Sequence, residues 1–326
     1  MSTDRLLFTE EERKRFRLLL ASHRGVTVLS HVHLDPDAIG TALGIAAILK
    51  RQGIRVEVAN ATEDLPRQVD FLAGFERIKK KIDFADSLII ACDCGSLDRL
   101  GFELPDRAIV NIDHHVSNTG YGVLNLVRRE AVSSSEVAYR FFERLYPIPP
   151  EAAEAFYAAL ISDTRHFTVG HVTAESFEVA RELIALGVDP SGVAQQMIQR
   201  RSLASLRIMG KALESLRLYL EAKVGVMIVT REDIAWSGAR YDDLDGLVDY
   251  ARSLVTVEVA ILIIERRQSI KVSLRSKGAD VMRLAREFGG GGHQEAAGFE
   301  TTEYTTDVLL EKLLEKIKEE GVIASR

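Results

Sequence analysis

Short apolar runs alternate with longer helical patterns through the first half of the chain. Residues 26–31 (VTVLSH) read as a buried strand, followed by a loop and an apolar helix over 38–50. Residues 55–60 form a second strand by their alternation, Val56 and Val58 against Glu57. The runs 87–92 (SLIIAC) and 108–112 (AIVNI) are short, apolar and bounded by turn signals. Two helices, over 134–145 and 151–162, close this half. Such strand–helix alternation predicts an α/β domain with a mostly parallel sheet and helices on both faces.

Residues 188–217 are polar and helical in pattern, with no strand period, and are expected to link two domains, 1–187 and 218–326. Beyond them the pattern changes. Residues 223–230 and 256–265 look like strands, and 269–275 (SIKVSLR) places Ile270, Val272 and Leu274 on one side. Val281, Leu284, Ala285 and Phe288 then follow helical spacing, and an amphipathic helix is expected over 305–320. The second domain is thus expected to be a smaller α/β unit built on a mixed sheet.

Composition narrows the function. At 326 residues, 46% hydrophobic and 28% charged, the chain is large enough for two cores and is balanced like a water-soluble globular protein. No apolar run approaches the roughly 20 residues that span a bilayer. The N-terminal MSTDRLLFTEEERKRF lacks a signal-peptide core, so no membrane association and a cytoplasmic location are expected. A formal charge of −6 argues against long duplex DNA as the main partner, but leaves room for one or two phosphates held by local cations. Cys92 and Cys94, with only Asp93 between them at a strand end, could form only a strained disulfide and read as reduced packing residues.

The candidate chemistry sits where apolar segments end. His31, Asp35 and Asp37 follow the first strand, Asp93 follows SLIIAC, and Asp113-His114-His115 follow AIVNI; Asp163 ends the helix that begins near 151. In an open parallel sheet, loops at the carboxyl ends of strands line one shared crevice, so these clusters can meet in space. Taken singly each is a weak signal, and Asp37 alone reads equally as a cap on the following helix. Together they need compensation, because crowded carboxylates repel and some would stay protonated. Divalent cations supply it. Carboxylates and neutral imidazoles without thiolates suit Mn²⁺, Mg²⁺ or Co²⁺, and two ions about 3.5–4 Å apart stabilise in-line phosphoryl transfer.

In this order the motifs resemble the DHH/DHH-associated-domain phosphoesterases, most closely the short two-domain nanoRNases or pAp phosphatases. The likeness extends over nearly the whole chain, continuing through Ser273-Leu274-Arg275-Ser276, Asp280-Val281, Gly289–His293 and Ala296-Ala297-Gly298-Phe299. It implies that His31, Asp35 and Asp93 bind a first ion, and that Asp37, Asp93, His114 and Asp163 bind a second, with Asp93 bridging. Mn²⁺ is the ion expected, ahead of Mg²⁺ or Co²⁺. Asp113 would orient an imidazole and His115 would face the substrate phosphate. In the second domain, Arg275, Ser276, Gly290, Gly291, Gly292 and His293 would hold substrate, the glycine amides and the His293 imidazole together cradling a phosphate.

The sequence departs from the family pattern at His33, Leu34, Pro36 and Arg165. Arg165 is a candidate substrate contact. By the same resemblance the substrates would be short single-stranded RNA, cut to mononucleotides, and 3′-phosphoadenosine 5′-phosphate, converted to AMP. Cyclic dinucleotides or their linear products are the nearest competitors, and a nucleotide sensor without catalysis is a further alternative. A homodimer is compatible with this reading.

Overall fold

A computed structural model of the chain describes residues 7–32, 34–63, 65–169 and 172–319, so His33 lies outside the described residues. The chain divides into two compact units, Met1–Arg200 and Arg201–Arg326. The first contains α1 (Glu10–Ala21), β1 (Val26–Ser30), α2 (Pro36–Arg51), β2 (Val56–Ala59), β3 (Leu88–Cys92), β4 (Ile109–Asp113) and β5 (Leu124–Val127). It continues with α3 (Ser134–Phe142), α4 (Pro150–Asp163), α5 (Ala174–Ala185) and α6 (Pro190–Ile198).

Its five strands are all parallel, in the order β2-β1-β3-β4-β5. The chain leaves β1 in one direction to make β2, then returns past it to make β3. The crevice where such an order reverses lies between β1 and β3, at their carboxyl ends. His31 and Asp93 each follow directly on one of those strands.

The two faces of this sheet are covered differently. Val28, Ile90, Val110 and Leu126 point into the larger core, to which all six α-helices of the unit contribute buried side chains. Leu29, Ile89, Ala91 and Ile109 form a smaller cluster on the other face, covered by the 3₁₀ turn Leu97–Leu100 and a loop carrying Phe102 and Leu104. The α-helices therefore gather on one face. α2 starts with Asp35 as N-cap and Pro36 at its first position, and ends with Lys50 and Arg51 favourably placed against its dipole. It packs against α4 through Gly40, where an added Cβ would lie 2.5 Å from the Ala155 carbonyl oxygen and 2.8 Å from Ala159 Cβ. That close approach sets how near Asp37, a turn before Gly40, lies to Asp163, a turn beyond Ala159.

The second unit comprises α7 (Leu203–Glu214), β6 (Arg217–Tyr219), β7 (Val224–Val229), α8 (Arg231–Ser237), α9 (Val248–Arg252), β8 (Val259–Glu265) and β9 (Ile270–Ser276). α10 (Val281–Glu287), β10 (Gly291–His293), β11 (Ala296–Thr301) and α11 (Thr306–Glu319) complete it. Its sheet runs β10-β11-β9-β8-β7-β6, mixed because only β7 and β8 are parallel. The segment 188–217 is shared: α6 packs in the first core, while Ile208 and Ala212 of α7 are buried in the second unit. β5, β6, β10 and β11 were not expected from pattern. β5, β6 and β10 are short, and small residues in β10 and at the start of β11 carry no apolar alternation.

Candidate metal centre

His31 leaves β1 with its backbone clamped by Asn60, whose side-chain amide donates to the carbonyls of Ser30 and His31, both at 3.0 Å. The imidazole Nδ1 lies 2.7 Å from the Val32 carbonyl, which can only accept, so Nδ1 carries the proton. Nε2 then faces Asp93 Oδ2 at 3.2 Å and Asp35 Oδ2 at 3.6 Å. Burial works against a charged His31, yet these two carboxylates outweigh it and push its pKa up to about 10. His114 repeats the arrangement. Its Nδ1 lies 3.3 Å from the Ala131 carbonyl, and Nε2 faces Asp93 Oδ1 at 3.6 Å and Asp163 Oδ2 at 3.5 Å.

The carboxylates divide their oxygens between scaffold and centre. Asp35 caps α2 through Oδ1, which accepts from the Ala38 amide at 2.9 Å, leaving Oδ2 beside His31. The cap of α2 is thus Asp35. Asp37 instead accepts across the unit from the amides that open α3, Ser134 at 2.7 Å and Ser135 at 3.2 Å. Asp93 follows β3 in a left-handed conformation (φ 54°) and accepts from the Ser134 hydroxyl at 2.9 Å.

Charge in this group is unbalanced. Burial raises the Asp93 pKa, but hydrogen bonding to His31 and the nearby His114 and His115 hold it below the usual carboxylate range. Asp37 and Asp163 are pushed well above that range, by burial first and then by neighbouring carboxylates, Asp93 foremost. The imidazoles present therefore do not neutralise the acids around them. Positive charge from outside the chain would reverse these shifts.

Among the described residues, three sets of potential ligand atoms converge to within 4.8 Å of one another: His31, Asp35 and Asp93; Asp37, His114 and Asp163; and Asp93, His114 and His115. Each of the first two presents an imidazole Nε2 and carboxylate oxygens, a donor set that fits a hard or borderline divalent ion once the imidazole is deprotonated. The third is weaker. His115 meets Asp93 through Nδ1, which donates to Asp113 Oδ1 at 2.7 Å. Asp113 is itself saturated, accepting from the amides of His114 and His115 and, through Oδ2, from Asn118. It anchors His115 and leaves that ring's Nε2 as the nitrogen not engaged by Asp113. Both cysteines are buried and use their thiols as donors, Cys92 to Leu29 and Cys94 to Ser96, with pKa values raised by burial.

All the predicted residues of the first unit thus meet, apart from Arg165. That residue stands two positions after Asp163 in a left-handed turn (φ 45°), and its charge acts to lower the Asp163 pKa. Ser134, Ser135, Asn60 and Asn118 were missed. The signal for the first two was present as a serine N-cap, Ser133, three residues before Glu136.

In the second unit, register places His293, Ala296 and Arg275 in one row across β10, β11 and β9, hence on one face of the sheet. Lys271, Ser273 and Arg275 are the half-buried positions of β9, whereas Ser276 is turned to the buried side, where its hydroxyl donates to Ala279. Ser276 is therefore not presented beside Arg275. The glycine run also departs from expectation. The amides of Gly289 and Gly290 close α10 on the carbonyls of Arg286 and Ala285. An added Cβ at Gly290 would overlap Gly298 and Phe299, and one at Gly292 (φ 140°) would lie 2.5 Å from the Ala296 carbonyl oxygen. Those two glycines are required by the approach of β11. At Gly291 the space is open.

Comparison with known proteins is consistent with both halves of this description. The model of the DHH family, N-terminal domain, matches residues 25–160, and that of the DHHA1 domain matches 222–320. The chain is 28% identical to the bifunctional oligoribonuclease and PAP phosphatase NrnA of Thermus thermophilus, over 96% of this chain and 95% of that protein. It is 25% identical to the cyclic-di-AMP phosphodiesterase GdpP of Geobacillus thermodenitrificans, over 92% of this chain but 48% of that protein. Among solved structures, an exopolyphosphatase-related protein from Bacteroides fragilis superposes with a TM-score of 0.89 at 25% identity, covering 98% of this chain and 99% of that one.

Proposed function

We propose that this chain, a hydrolase that belongs to the DHH phosphoesterase family and carries a DHHA1 domain, cleaves short oligoribonucleotides to mononucleotides and converts 3′-phosphoadenosine 5′-phosphate to AMP. One observation supports the chemistry above all: two ligand sets lie side by side, and Asp93 turns Oδ2 towards one and Oδ1 towards the other. His31, Asp35 and Asp93 would hold one divalent cation, and Asp37, Asp93, His114 and Asp163 a second, Mn²⁺ being the ion proposed. When bound, such ions lower the pKa of water and offset charge on phosphoryl oxygens.

The remaining work falls to the chain. His115, held by Asp113, offers Nε2 to a phosphoryl oxygen. Arg275 and His293 grip the nucleotide, the row they share being floored by Ala296, whose small side chain leaves space between them. Likeness to an oligoribonuclease along nearly its full length supports the substrate class.

A substrate panel tests this reading. Di- to pentaribonucleotides, 3′-phosphoadenosine 5′-phosphate, linear and cyclic dinucleotides and pyrophosphate would be compared with Mn²⁺ and Mg²⁺, in the wild type and Asp93→Asn. Metal-dependent release of mononucleotides and AMP that disappears in the variant is expected. Preference for cyclic dinucleotides would replace the substrate assignment. Near-normal turnover by Asp93→Asn would remove the shared-ligand chemistry.

A further inference from the structure

The α3 N-terminus touches two acids of the centre at once, and Ser134 does so with both backbone and side chain. Its N–H donates to Asp37 Oδ2 at 2.7 Å, and its hydroxyl lies 2.9 Å from Asp93 Oδ1 and 3.4 Å from Asp113 Oδ1. A hydroxyl has one proton to donate. The shorter distance assigns it to Asp93, since Asp113 Oδ1 is already supplied by His115 Nδ1 and two amides. Ser134 is fully buried, so water does not compete for that bond.

This bond fixes a rotation. Asp93 Oδ2 faces His31 Nε2 at 3.2 Å, whereas Oδ1 faces His114 Nε2 at 3.6 Å. A carboxylate turns readily about its last side-chain torsion, which is broad and roughly two-fold. Here turning would break the Ser134 contact. We propose that Ser134 is a positioning residue that locks the Asp93 carboxylate so that one oxygen serves each ligand set. The inference rests on the two-cation reading above.

The two sets should respond unequally when the lock is removed. His31 still holds Oδ2 of Asp93 from one side, whereas Oδ1 loses the donor that orients it towards His114. In Ser134→Ala, affinity for the second cation therefore falls by roughly 10- to 100-fold, the usual effect of losing a partner behind a ligand, while affinity for the first is nearly unchanged. kcat at limiting Mn²⁺ falls in parallel and recovers as Mn²⁺ is raised, with KM for the nucleotide unchanged. Ser134→Thr keeps the hydroxyl and restores the second affinity.

The experiment is calorimetric titration of the metal-free, full-length chain with Mn²⁺ for wild type, Ser134→Ala and Ser134→Thr, alongside thermal unfolding and Mn²⁺-dependent kinetics. Ser134→Cys, close to serine in size and a weak donor, keeps the test readable if the extra methyl of threonine does not fit; it is expected to bind as Ser134→Ala does. Two-step binding in wild type and selective loss of the second step in the alanine variant is the result expected. Equal loss of both steps, or wild-type binding by folded Ser134→Ala or Ser134→Cys, overturns the positioning role. Fewer than two ions on the wild type would instead overturn the reading on which it rests.

Discussion

Replacing Gly40 by alanine probes the link between helix packing and the centre. The added Cβ would lie 2.5 Å from the Ala155 carbonyl oxygen, about 0.9 Å inside the 3.4 Å at which ordinary contact begins. It would also meet Ala159 Cβ at 2.8 Å. The oxygen belongs to the backbone of α4 and the methyl to a residue without rotamers, so no side chain can turn aside and the helices must separate. Overpacking of this kind costs about 1–3 kcal/mol. In a unit of this size that lowers Tm by roughly 2–12 °C. Asp37 and Asp163 lie at the adjoining ends of these two helices, and a displacement near 1 Å costs about 10²-fold in rate.

Gly44→Ala is the control. Its Cβ would strike the ring of Phe156, a side chain that can shift, so comparable destabilisation is expected with a loss of no more than about tenfold in kcat. Differential scanning calorimetry and steady-state kinetics on both variants decide the matter. Wild-type Tm and kcat in Gly40→Ala would refute the close approach. A lowered Tm with wild-type kcat would keep the packing but break its connection to the centre.

Other outcomes are equally specific. Burial raises the Glu136 pKa to about 7, with Glu175 adding to it, so the folded state binds a proton that the unfolded chain has already released. Stability from this group is full below about pH 4.5 and declines to about pH 7; Glu136→Gln should gain up to about 3 kcal/mol over wild type at pH 8 relative to pH 5, and parallel unfolding curves at both pH values would refute it. His293→Ala should lose roughly 10- to 150-fold in kcat/KM on dinucleotides, the worth of one charge-assisted hydrogen bond, with little change on bis(p-nitrophenyl) phosphate; equal losses would contradict a role in grip. Chelation should lower Tm, because each ion held at 100 times its Kd contributes about 2.7 kcal/mol; an unchanged Tm would contradict cation binding by the folded chain.

The first unit was the more legible half. Buried parallel strands make continuous apolar runs, and functional groups at their carboxyl ends appear as abrupt polar residues after VTVLS, SLIIAC and AIVNI. His31, Asp93 and the Asp113–His115 triplet could be read for that reason. Ser134 could be read only as part of a helix start, because its contacts with Asp37, Asp93 and Asp113 span 97, 41 and 21 residues. In the second unit a glycine run that suggested open phosphate-binding amides has the amides of Gly289 and Gly290 bonded to carbonyls of α10. Gly290 and Gly292 are small because β11 passes against them, a long-range packing demand that a run of glycines does not reveal. Ser276, assigned to the substrate by resemblance, is turned to the face opposite Arg275, because period two sends neighbours along a strand to opposite sides.

Asp93 shows why the centre breaks local rules. A left-handed backbone favours glycine, and an aspartate held there gives up roughly 1–2 kcal/mol. It is also buried among further acids, and its charge adds to the burial that pushes two of them towards protonation. A glycine would remove the strain and an asparagine the repulsion, but neither leaves a charged carboxylate with one oxygen turned to each side. The surroundings bear this cost through fixed groups: the Ile112 carbonyl holds the Asp93 amide at 3.0 Å, and the opening of α3 supplies the hydroxyl of Ser134. A position that is strained, buried and charged, yet tied down from both its backbone and its side chain, is arranged for what it binds rather than for the stability of the chain.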